Sequence, residues 1–339
     1  MRIEYIAKEG NHFKANLHCH TVFSDGKKTP AEIKEIYRAA GYSIVAYSDH
    51  NILLDHSELN DEHFLAMLAT EYDVQKKGPE DGHCRPCFHI NFFPRKTGQV
   101  SVPCFSPNRT RKDLLDRQPY SGSGDYVRSY EDIQDMIDRF ANDGFLVQIN
   151  HPVWSVQTIG EYLPLKNYFA LEIYNHGCFV EGYDEFSTLY WDELLRAGQR
   201  VWGTATDDNH NEYPVGHPRC DALGGFTVIQ AAGLTQEAVT DALEAGKFYA
   251  STGPLFHSVV QEDNILRVET SPVRKIMLTT GMRRARAAYP ATGEKTLTAA
   301  EFDLSRFLPN DYIRLTLIDE QGNRAWSQPF YNYFCGKEA

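Results

Sequence analysis

Short apolar runs alternate with amphipathic segments along the first two-thirds of the chain. The runs that have the length and composition of buried strands are FKANLHCH, YSIVAYS, FLVQIN, FALEIYN and RVWGTAT. Between them, apolar residues recur at helical spacing, as in the segment that begins near Ser129. Repeated strand–helix–strand order predicts parallel βα units, and about seven such units favour a barrel over a small doubly wound sheet.

Helix limits are marked by local capping signals. Thr29 and Glu32 form the pattern of a capping box, and Pro30 occupies the first helical position. Gly41 is a suitable residue to end that helix. By the same reasoning, further helices are expected to open at Ser129 and to follow Thr235.

The pattern changes after FYASTGP, which ends at Pro254. Beyond it the segments are short, alternating and rich in β-formers, and EQGNRAW has the composition of a hairpin turn. We therefore divide the chain near position 255. Residues 1–255 are interpreted as the α/β barrel, and residues 256–339 as a small antiparallel, sandwich-like β domain.

The stretch NLHCHTVFSDG combines two histidines with a carboxylate. His18 and His20 are two residues apart, so on a strand both side chains point to the same face. Asp25 follows in the next loop, where Gly26 is expected to supply a positive φ. Each feature alone is also typical of an ordinary strand and turn.

The same residue types recur where other predicted strands end. These positions are Asp49, His50, Glu71, His89, His151, Asp208 and His210. Asp49 is interpreted as a residue that holds a loop by hydrogen bonds rather than as a ligand. A single histidine is more often structural, but this ordered recurrence is not expected by chance. Imidazole and carboxylate together suit Zn, Mn or Fe, so the pattern predicts a metal cluster.

The amino-acid composition of the chain argues against some classes of protein function. The chain has 339 residues, 42% of them apolar, and a formal net charge of −12. This acidic balance argues against a general binder of the nucleic-acid backbone. There is no apolar run of transmembrane length and no signal-peptide pattern at the N-terminus. We therefore expect a cytoplasmic protein that does not associate with membranes.

The seven cysteines do not form a recognisable scaffold. Cys84 and Cys87 make a CxxC, with Cys104 further along, but no second pair has the spacing of a structural zinc site. Reduced thiols in a cytoplasmic protein are the simplest interpretation.

The motif set HCHTVFSDG, YSDHN, Glu71, HIN, NHP and DDNH resembles that of the polymerase and histidinol phosphatase (PHP) family of metal-dependent phosphoesterases. The resemblance extends from about residue 13 to residue 255. It implies a distorted (β/α)7 barrel, followed here by the C-terminal β domain, and a cluster of two to three divalent metal ions (Mn, Zn or Fe).

The resemblance also implies which residues hold each metal. One metal is assigned to His18, His20, Glu71 and Asp208. A second shares Glu71 and is held by His89 and His151, and a third is assigned to Asp25, His50 and His210. His83 competes with His89, and Asp207 with Asp208, but the family spacing favours His89 and Asp208. The carboxylates Asp25, Glu71 and Asp208 are the expected catalytic residues.

Substrate contacts are expected from cationic side chains. The segment 105–130 is rich in arginine, including Arg128, and could cover the site. The candidate substrate-binding residues are Arg109, Arg111, His176 and Arg219. Trp154, which follows NHP, is expected to pack or to line the pocket.

The expected function is hydrolysis of a small phosphate monoester or a (cyclic) phosphodiester by a metal-activated hydroxide. Three alternatives remain open at this point: a 3′–5′ exonuclease acting on single strands, metal-dependent amide hydrolysis, and a non-enzymatic metal-binding or interaction module. The sequence does not specify the substrate, the oligomeric state or the role of the C-terminal domain.

Overall fold

A computed structural model of the chain describes residues 1–76, 86–122, 129–308, 312–331 and 333. Its helices are α1 (Pro30–Ala39), α2 (Ile133–Asn142), α3 (Ile159–Tyr162), α4 (His176–Glu181), α5 (Thr188–Arg196) and α6 (Gln236–Glu244). Its strands are β1 (Arg2–Ile6), β2 (His12–Asn16), β3 (Ile44–Tyr47), β4 (Leu65–Leu68), β5 (Thr70–Gln75), β6 (Cys87–Pro94), β7 (Phe145–Ile149), β8 (Ala170–Asn175), β9 (Trp202–Thr206), β10 (Phe226–Gln230), β11 (Phe248–Ser251), β12 (Phe256–Glu262), β13 (Ile265–Val273), β14 (Lys275–Thr280), β15 (Ala285–Ala288), β16 (Leu297–Asp303), β17 (Ile313–Ile318) and β18 (Arg324–Ser327).

The strands belong to three sheets. A nine-stranded sheet has the order β15-β14-β17-β18-β11-β10-β2-β3-β4, a five-stranded sheet has the order β5-β6-β7-β8-β9, and a four-stranded sheet has the order β1-β12-β13-β16. The prediction of a mixed α/β fold is confirmed, and the strands expected around YSIVAYS, FLVQIN, FALEIYN and RVWGTAT are all present.

The expected distorted (β/α)7 barrel is wrong in that no closed barrel forms among the described residues. Strand β4 ends one sheet and β5 begins another, and β9 is joined to β10 by the Thr227 hydroxyl, which bonds the Ala205 backbone, rather than by a ladder. The pairs β2–β3, β3–β4, β7–β8 and β8–β9 are parallel, whereas β5–β6, β6–β7 and β10–β11 are antiparallel. Apolar runs specify that a strand forms but not the direction of its partner, so the barrel was over-predicted.

The capping signals give mostly correct helix limits. The Thr29 hydroxyl accepts a hydrogen bond from the Glu32 amide at 3.3 Å, and the Thr29 amide donates to the Glu32 carboxylate at 2.9 Å. Gly41, with φ +77°, follows the end of α1. Thr235 caps α6 as expected. The expected start at Ser129 is wrong: α2 begins at Ile133, and the Ser129 hydroxyl bonds Glu131 instead.

Two backbone ladders among the described residues cross position 255. Strand β1 pairs with β12, and β11 pairs with β18, so the C-terminal strands extend the sheet that contains β2 and β3. A partly buried ion pair connects the same region to α5, because Arg314 donates to both carboxylate oxygens of Asp192 at 2.8 and 2.7 Å. None of the helices in the described ranges has the length and apolar character needed to cross a membrane.

Candidate metal centre

The structure brings nine predicted side chains into one cluster, in the region where β2, β3, β7 and β9 end. Sets of three or four donor atoms, one from each residue of a set, lie within 4.8 Å of one another. The sets are His20, Asp25, His50 and His210; His18, His151 and Asp208; His18, His20 and Glu71; and His50, Glu71 and His89.

The HxH motif lies just beyond a strand rather than within it. Strand β2 ends at Asn16, and the chain stays extended through a bridge between Cys19 and Asn209. The Nε2 atoms of His18 and His20 are 3.2 Å apart. Both rings therefore point to one place, as the alternation of an extended chain requires.

The most buried part of the cluster combines these two imidazoles with two carboxylates. The Oδ1 atom of Asp208 lies 3.1 Å from Nε2 of His18 and 3.0 Å from Nε2 of His20. The Oε1 atom of Glu71 lies 3.2 Å from Nε2 of His18. Metal–ligand bonds of about 2.0–2.2 Å place two ligands of one ion about 3.0–3.5 Å apart, so these separations fit a shared ion.

Glu71 lies at the junction of the sets. Its Oε1 atom is 3.2 Å from Nδ1 of His89 and 3.5 Å from Nε2 of His151, and its Oε2 atom is 3.1 Å from Nδ1 of His50. The two carboxylate oxygens thus face different groups of imidazoles. This arrangement suits a carboxylate that bridges two ions.

The outermost set is built around Asp25. Its carboxylate lies 3.4 Å from His210, 3.7 Å from His50 and 3.7 Å from His20. The Asp25 side chain is 54% exposed, whereas those of His18 and His20 are fully buried. The cluster is therefore buried on the side of His18 and His20 and accessible to solvent on the side of Asp25.

Three buried polar atoms in the cluster lack a hydrogen-bond partner of acceptable geometry within the described ranges. They are Nδ1 of His50, Oε2 of Glu71 and Oδ1 of Asp208. Buried polar atoms are nearly always paired, so such atoms call for an explanation. Their neighbours are other donors of the same cluster, and divalent cations bound to these sets would satisfy them. The residues present therefore fit a metal site of the kind preferred by Zn, Mn or Fe.

The ionisation of the cluster reflects dense packing of opposite charges. Burial would raise the pKa of Glu71, but the imidazoles of His18, His89 and His50 hold that pKa well below its usual value. Burial would lower the pKa of His20, but its carboxylate neighbours raise it to about 10. Burial and the charge of His20 lower the pKa of His50 to about 4. The carboxylates are thus kept ionised, as ligands must be.

Two cluster residues have unusual backbone conformations. His151 has φ +23° and Asp208 has φ +52°. Positive φ in a residue other than glycine costs about 1–3 kcal/mol and tends to be kept at functional sites. Here it directs both side chains into the cluster immediately after β7 and β9.

Asp49 holds a loop, as expected, and belongs to none of the metal-binding sets found among the described residues. Its carboxylate accepts hydrogen bonds from the amide and hydroxyl of Thr21 at 2.8 and 2.7 Å, and from the hydroxyl of Ser24 at 2.7 Å. It therefore fixes the loop between His20 and Asp25.

Gly26 serves that loop for a reason other than the expected one. It is not among the glycines with positive φ. A Cβ atom at Gly26 would instead lie 2.5 Å from the carbonyl oxygen of His20. Close approach of the backbone, rather than a left-handed turn, requires glycine here.

Asp207 and Asp208 have different surroundings. Asp207 accepts hydrogen bonds of 2.7–2.9 Å from the backbone amides of residues 223–225 and of 2.7 Å from the Tyr37 hydroxyl. These hydrogen bonds hold the segment 223–225 against the loop after β9, which is a structural role. Asp208 faces the histidines.

Several supporting residues were missed by the sequence analysis. Ser155 Oγ lies 3.1 Å from Nδ1 of His151, and the Asn150 side chain donates to Glu71 at 2.8 Å. Glu172 lies 3.1 Å from Nδ1 of His18. Glu172 could have been noticed as the charged residue within the apolar run FALEIYN.

The cluster forms the floor of a cavity of about 450 Å³. Its lining also includes Lys27, Tyr213 and Arg219, together with Trp154 and Glu181. The Trp154 ring centroid lies 5.1 Å from that of His89 and 5.0 Å from that of His151. The Arg219 guanidinium donates to the Tyr213 hydroxyl at 2.7 Å and lies over its ring.

The other candidate substrate residues have different positions. The described lining of the cavity includes Arg219 but not His176, Arg109 or Arg111. His176 contacts the Tyr174 hydroxyl, Arg109 pairs with Asp73 and Arg111 pairs with Asp113. Arginine content alone could not distinguish a side chain engaged in a surface ion pair from one facing the cavity.

Some sequence predictions cannot be placed. His83, Cys84 and Arg128 lie outside the described residues. Cys87 lies at the start of β6, and Cys104 is buried.

No family model and no curated protein matches the chain. Structural similarity is found to a two-domain protein from Bacteroides vulgatus that contains a predicted PHP-like metal-dependent phosphoesterase, with 12% identity, TM-score 0.45, and coverage of 94% of this chain and 95% of that one. A candidate metal-dependent phosphoesterase from Bifidobacterium adolescentis has 18% identity, TM-score 0.36, and coverage of 60% and 90%. An amidohydrolase from Chromobacterium violaceum, with bound sulfate and no metal, has 14% identity, TM-score 0.40, and coverage of 69% and 96%.

Proposed function

We propose that this protein is a metal-dependent phosphoesterase that hydrolyses a small phosphate monoester or a (cyclic) phosphodiester. The observation that carries the proposal is the convergence of nine metal-binding side chains around Glu71, on the floor of an open cavity with Lys27 and Arg219 on its wall. Nine donors exceed what one ion needs. Such a set suits two or three divalent ions of Mn, Zn or Fe.

The ligands divide among the proposed ions as follows. His18, His20, Glu71 and Asp208 hold one ion; Glu71, His89 and His151 hold a second; Asp25, His50 and His210 hold a third. His50 also lies within reach of Glu71 and His89, so it can serve either of two neighbouring positions. When bound, such ions supply a hydroxide at neutral pH and stabilise charge on the phosphoryl oxygens.

The remaining side chains of the cavity position the substrate. Lys27, Arg219 and Trp154 all line the cavity, so the phosphate oxygens would face the two cations while the alcohol part of the ester would contact the indole. Guanidinium groups match phosphate oxygens well. These two cations, with the proposed metal ions, favour an anionic substrate over a neutral amide.

The size of the cavity favours a small substrate. A volume of about 450 Å³ is in the range of small-molecule sites. The net charge of −12 gives the protein as a whole no attraction for a polyanion. Hydrolysis of a nucleic-acid polymer is therefore not the proposed activity.

The proposal is tested by metal content and turnover measured on the same preparation. Protein purified without a chelator or an affinity metal is analysed for Mn, Fe and Zn and assayed with p-nitrophenyl phosphate, bis(p-nitrophenyl) phosphate, a p-nitroanilide and a single-stranded oligonucleotide. We expect two to three equivalents of metal per chain and turnover of a phosphate ester that chelation abolishes. Absence of metal after reconstitution, or preferential turnover of the anilide or the oligonucleotide, would overturn the proposal.

A further inference from the structure

Glu172 is a fully buried carboxylate behind the metal-binding sets. It lies in β8, all of whose residues are buried, and has no exposed surface. It is a member of none of the sets that could hold a metal among the described residues. Burying a carboxylate is costly unless its oxygens are fully hydrogen-bonded, so its contacts indicate what it does.

Both oxygens of Glu172 are occupied by groups connected to the cluster. Oε1 lies 3.1 Å from Nδ1 of His18 and also accepts a short hydrogen bond from the Thr206 hydroxyl. Oε2 accepts from the backbone amide of His151 at 2.9 Å and from the side-chain amide of Asn175 at 2.8 Å. One carboxylate thus contacts segments that follow β2 and β7.

Asn175 extends this contact to a third ligand. Its side-chain nitrogen, which donates to Glu172, also donates to Oδ2 of Asp208 at 3.0 Å. Glu172 is therefore connected to His18, His151 and Asp208. These three residues form one of the four metal-binding sets by themselves.

The contact with His18 determines which ring nitrogen carries the proton. An ionised carboxylate can only accept, so Nδ1 of His18 donates to Glu172. The Nε2 lone pair then points towards Glu71 and Asp208, at 3.2 and 3.1 Å. Carboxylates placed behind metal-binding histidines fix tautomer and ring orientation in this way.

The contact with His151 acts on the backbone. His151 has φ +23°, a conformation that neighbouring structure must maintain. Its amide hydrogen bond to Glu172 is one such restraint. The same carboxylate thus orients one ligand through its ring and another through its main chain.

We propose that Glu172 is the positioning residue for the His18–His151–Asp208 part of the centre. It sets the tautomer of His18 and the backbone of His151, and it does not itself bind metal. The His20–Asp25–His50–His210 part does not depend on it. This inference rests on the metal binding put forward under Proposed function.

The test compares Glu172→Gln with wild type in two measurements. Metal-free protein is titrated with Mn²⁺ and with Zn²⁺ to obtain stoichiometry and affinity. Separately, long-range ¹H–¹⁵N correlations on ¹⁵N-histidine-labelled, metal-free protein, at a pH high enough for the imidazoles to be neutral, report the tautomer of His18, with His18→Gln used to assign its signals. Because a carboxamide can offer His18 an N–H instead of an acceptor, we expect the Nε2–H tautomer in the variant. We also expect the ion assigned to His18 and Asp208 and the ion assigned to His151 to bind about 10–100-fold more weakly, with the ion assigned to Asp25, His50 and His210 unchanged.

The matched control is Asp192→Asn, which weakens a carboxylate pair with Arg314 away from the cluster. It should lower stability and leave metal binding intact. Glu172→Asp, which keeps the charge, should give a smaller loss and provides a second test if the glutamine variant does not fold. Unchanged tautomer and unchanged metal affinity in both Glu172 variants would overturn the inference. Wild-type protein that has the Nδ1–H tautomer but binds no metal would instead overturn the proposed function.

Discussion

His18 and His20 hold their Nε2 atoms 3.2 Å apart, although each ring is anchored from a different direction. The Nδ1 atom of His18 faces Glu172 at 3.1 Å, and that of His20 faces the hydroxyl of Ser24 at 3.3 Å. Both Nε2 atoms also face Oδ1 of Asp208, at 3.1 and 3.0 Å. This convergence is the arrangement expected of two ligands of one cation.

Removing a carboxylate ligand should abolish most of the activity. We expect Asp25→Ala and Asp208→Ala each to lower turnover of a phosphate ester by about 100-fold or more, since even outer partners of metal ligands contribute 10–100-fold. Turnover is measured at saturating metal, with Asp113→Ala as the control because Asp113 pairs with Arg111 at the surface. Wild-type turnover in either ligand variant would contradict the assignment.

Metal should stabilise the fold. The cluster places three carboxylates close together, and a ligand that binds only the native state adds about 2.7 kcal/mol at 100 times its Kd. Thermal unfolding of metal-free protein, followed during titration with Mn²⁺ or Zn²⁺, should show a Tm that rises with metal concentration. Mg²⁺, which prefers oxygen ligands, should give a smaller shift. A Tm that is unchanged by all three ions would count against a metal centre.

Metal affinity should fall as the pH falls. Imidazole must be neutral and carboxylate ionised to bind metal, so protons compete with the metal for every ligand. Binding should therefore release protons, which is measured by calorimetry at one pH in buffers of different ionisation enthalpy. Identical heats in all buffers would show that no proton is displaced.

Arg219 and Trp154, which both line the cavity, should affect different kinetic quantities. Arg219→Ala should raise the inhibition constant of inorganic phosphate about tenfold, as expected for loss of a hydrogen bond to a charged group. Trp154→Ala should leave that constant unchanged and raise KM about threefold to tenfold for esters of flat aromatic alcohols, because ring contacts contribute about 0.5–1.5 kcal/mol. Equal effects of both variants on phosphate inhibition would rule out this division.

Gly26→Ala should disturb the loop that carries Asp25. The added Cβ would meet the His20 carbonyl at 2.5 Å, and overpacking of this kind costs about 1–3 kcal/mol. We expect a lower Tm and weaker binding of the metal held by Asp25. Gly233→Ala is the control, since a Cβ there meets nothing within 4 Å and the residue has no positive φ. Equal Tm and metal affinity in the two variants would contradict the role of Gly26.

The parts of the fold that could be predicted are those encoded locally. The capping box at Thr29 and Glu32 specifies the start of α1, and Gly41 specifies its end. Alternating apolar runs specify most strands. The convergence of ligands could be anticipated because they follow consecutive strands, and strand ends are where α/β proteins build their sites.

The remainder depends on relationships that are distant in sequence. Neither β6 nor β10 has a sequence that specifies whether its partner, β7 or β11, runs parallel or antiparallel to it. The sequence analysis therefore predicted parallel units where these two pairs are antiparallel. The role of Glu172 follows from its contact with His18, which is distant in sequence. Arg109 and Arg219 look alike in the sequence, and only the structure shows that Asp73 engages one while the other faces the cavity.

The pairing of β2 with β10 has a consequence for how the protein is made. Ala15 in β2 lies opposite Thr227 in β10, and Arg2 in β1 lies opposite Glu262 in β12. The segments synthesised first therefore pair with strands that are synthesised much later, and such non-local topologies fold slowly. The nine proposed ligands extend from His18 to His210, so the complete set can form only after the first 210 residues have been made.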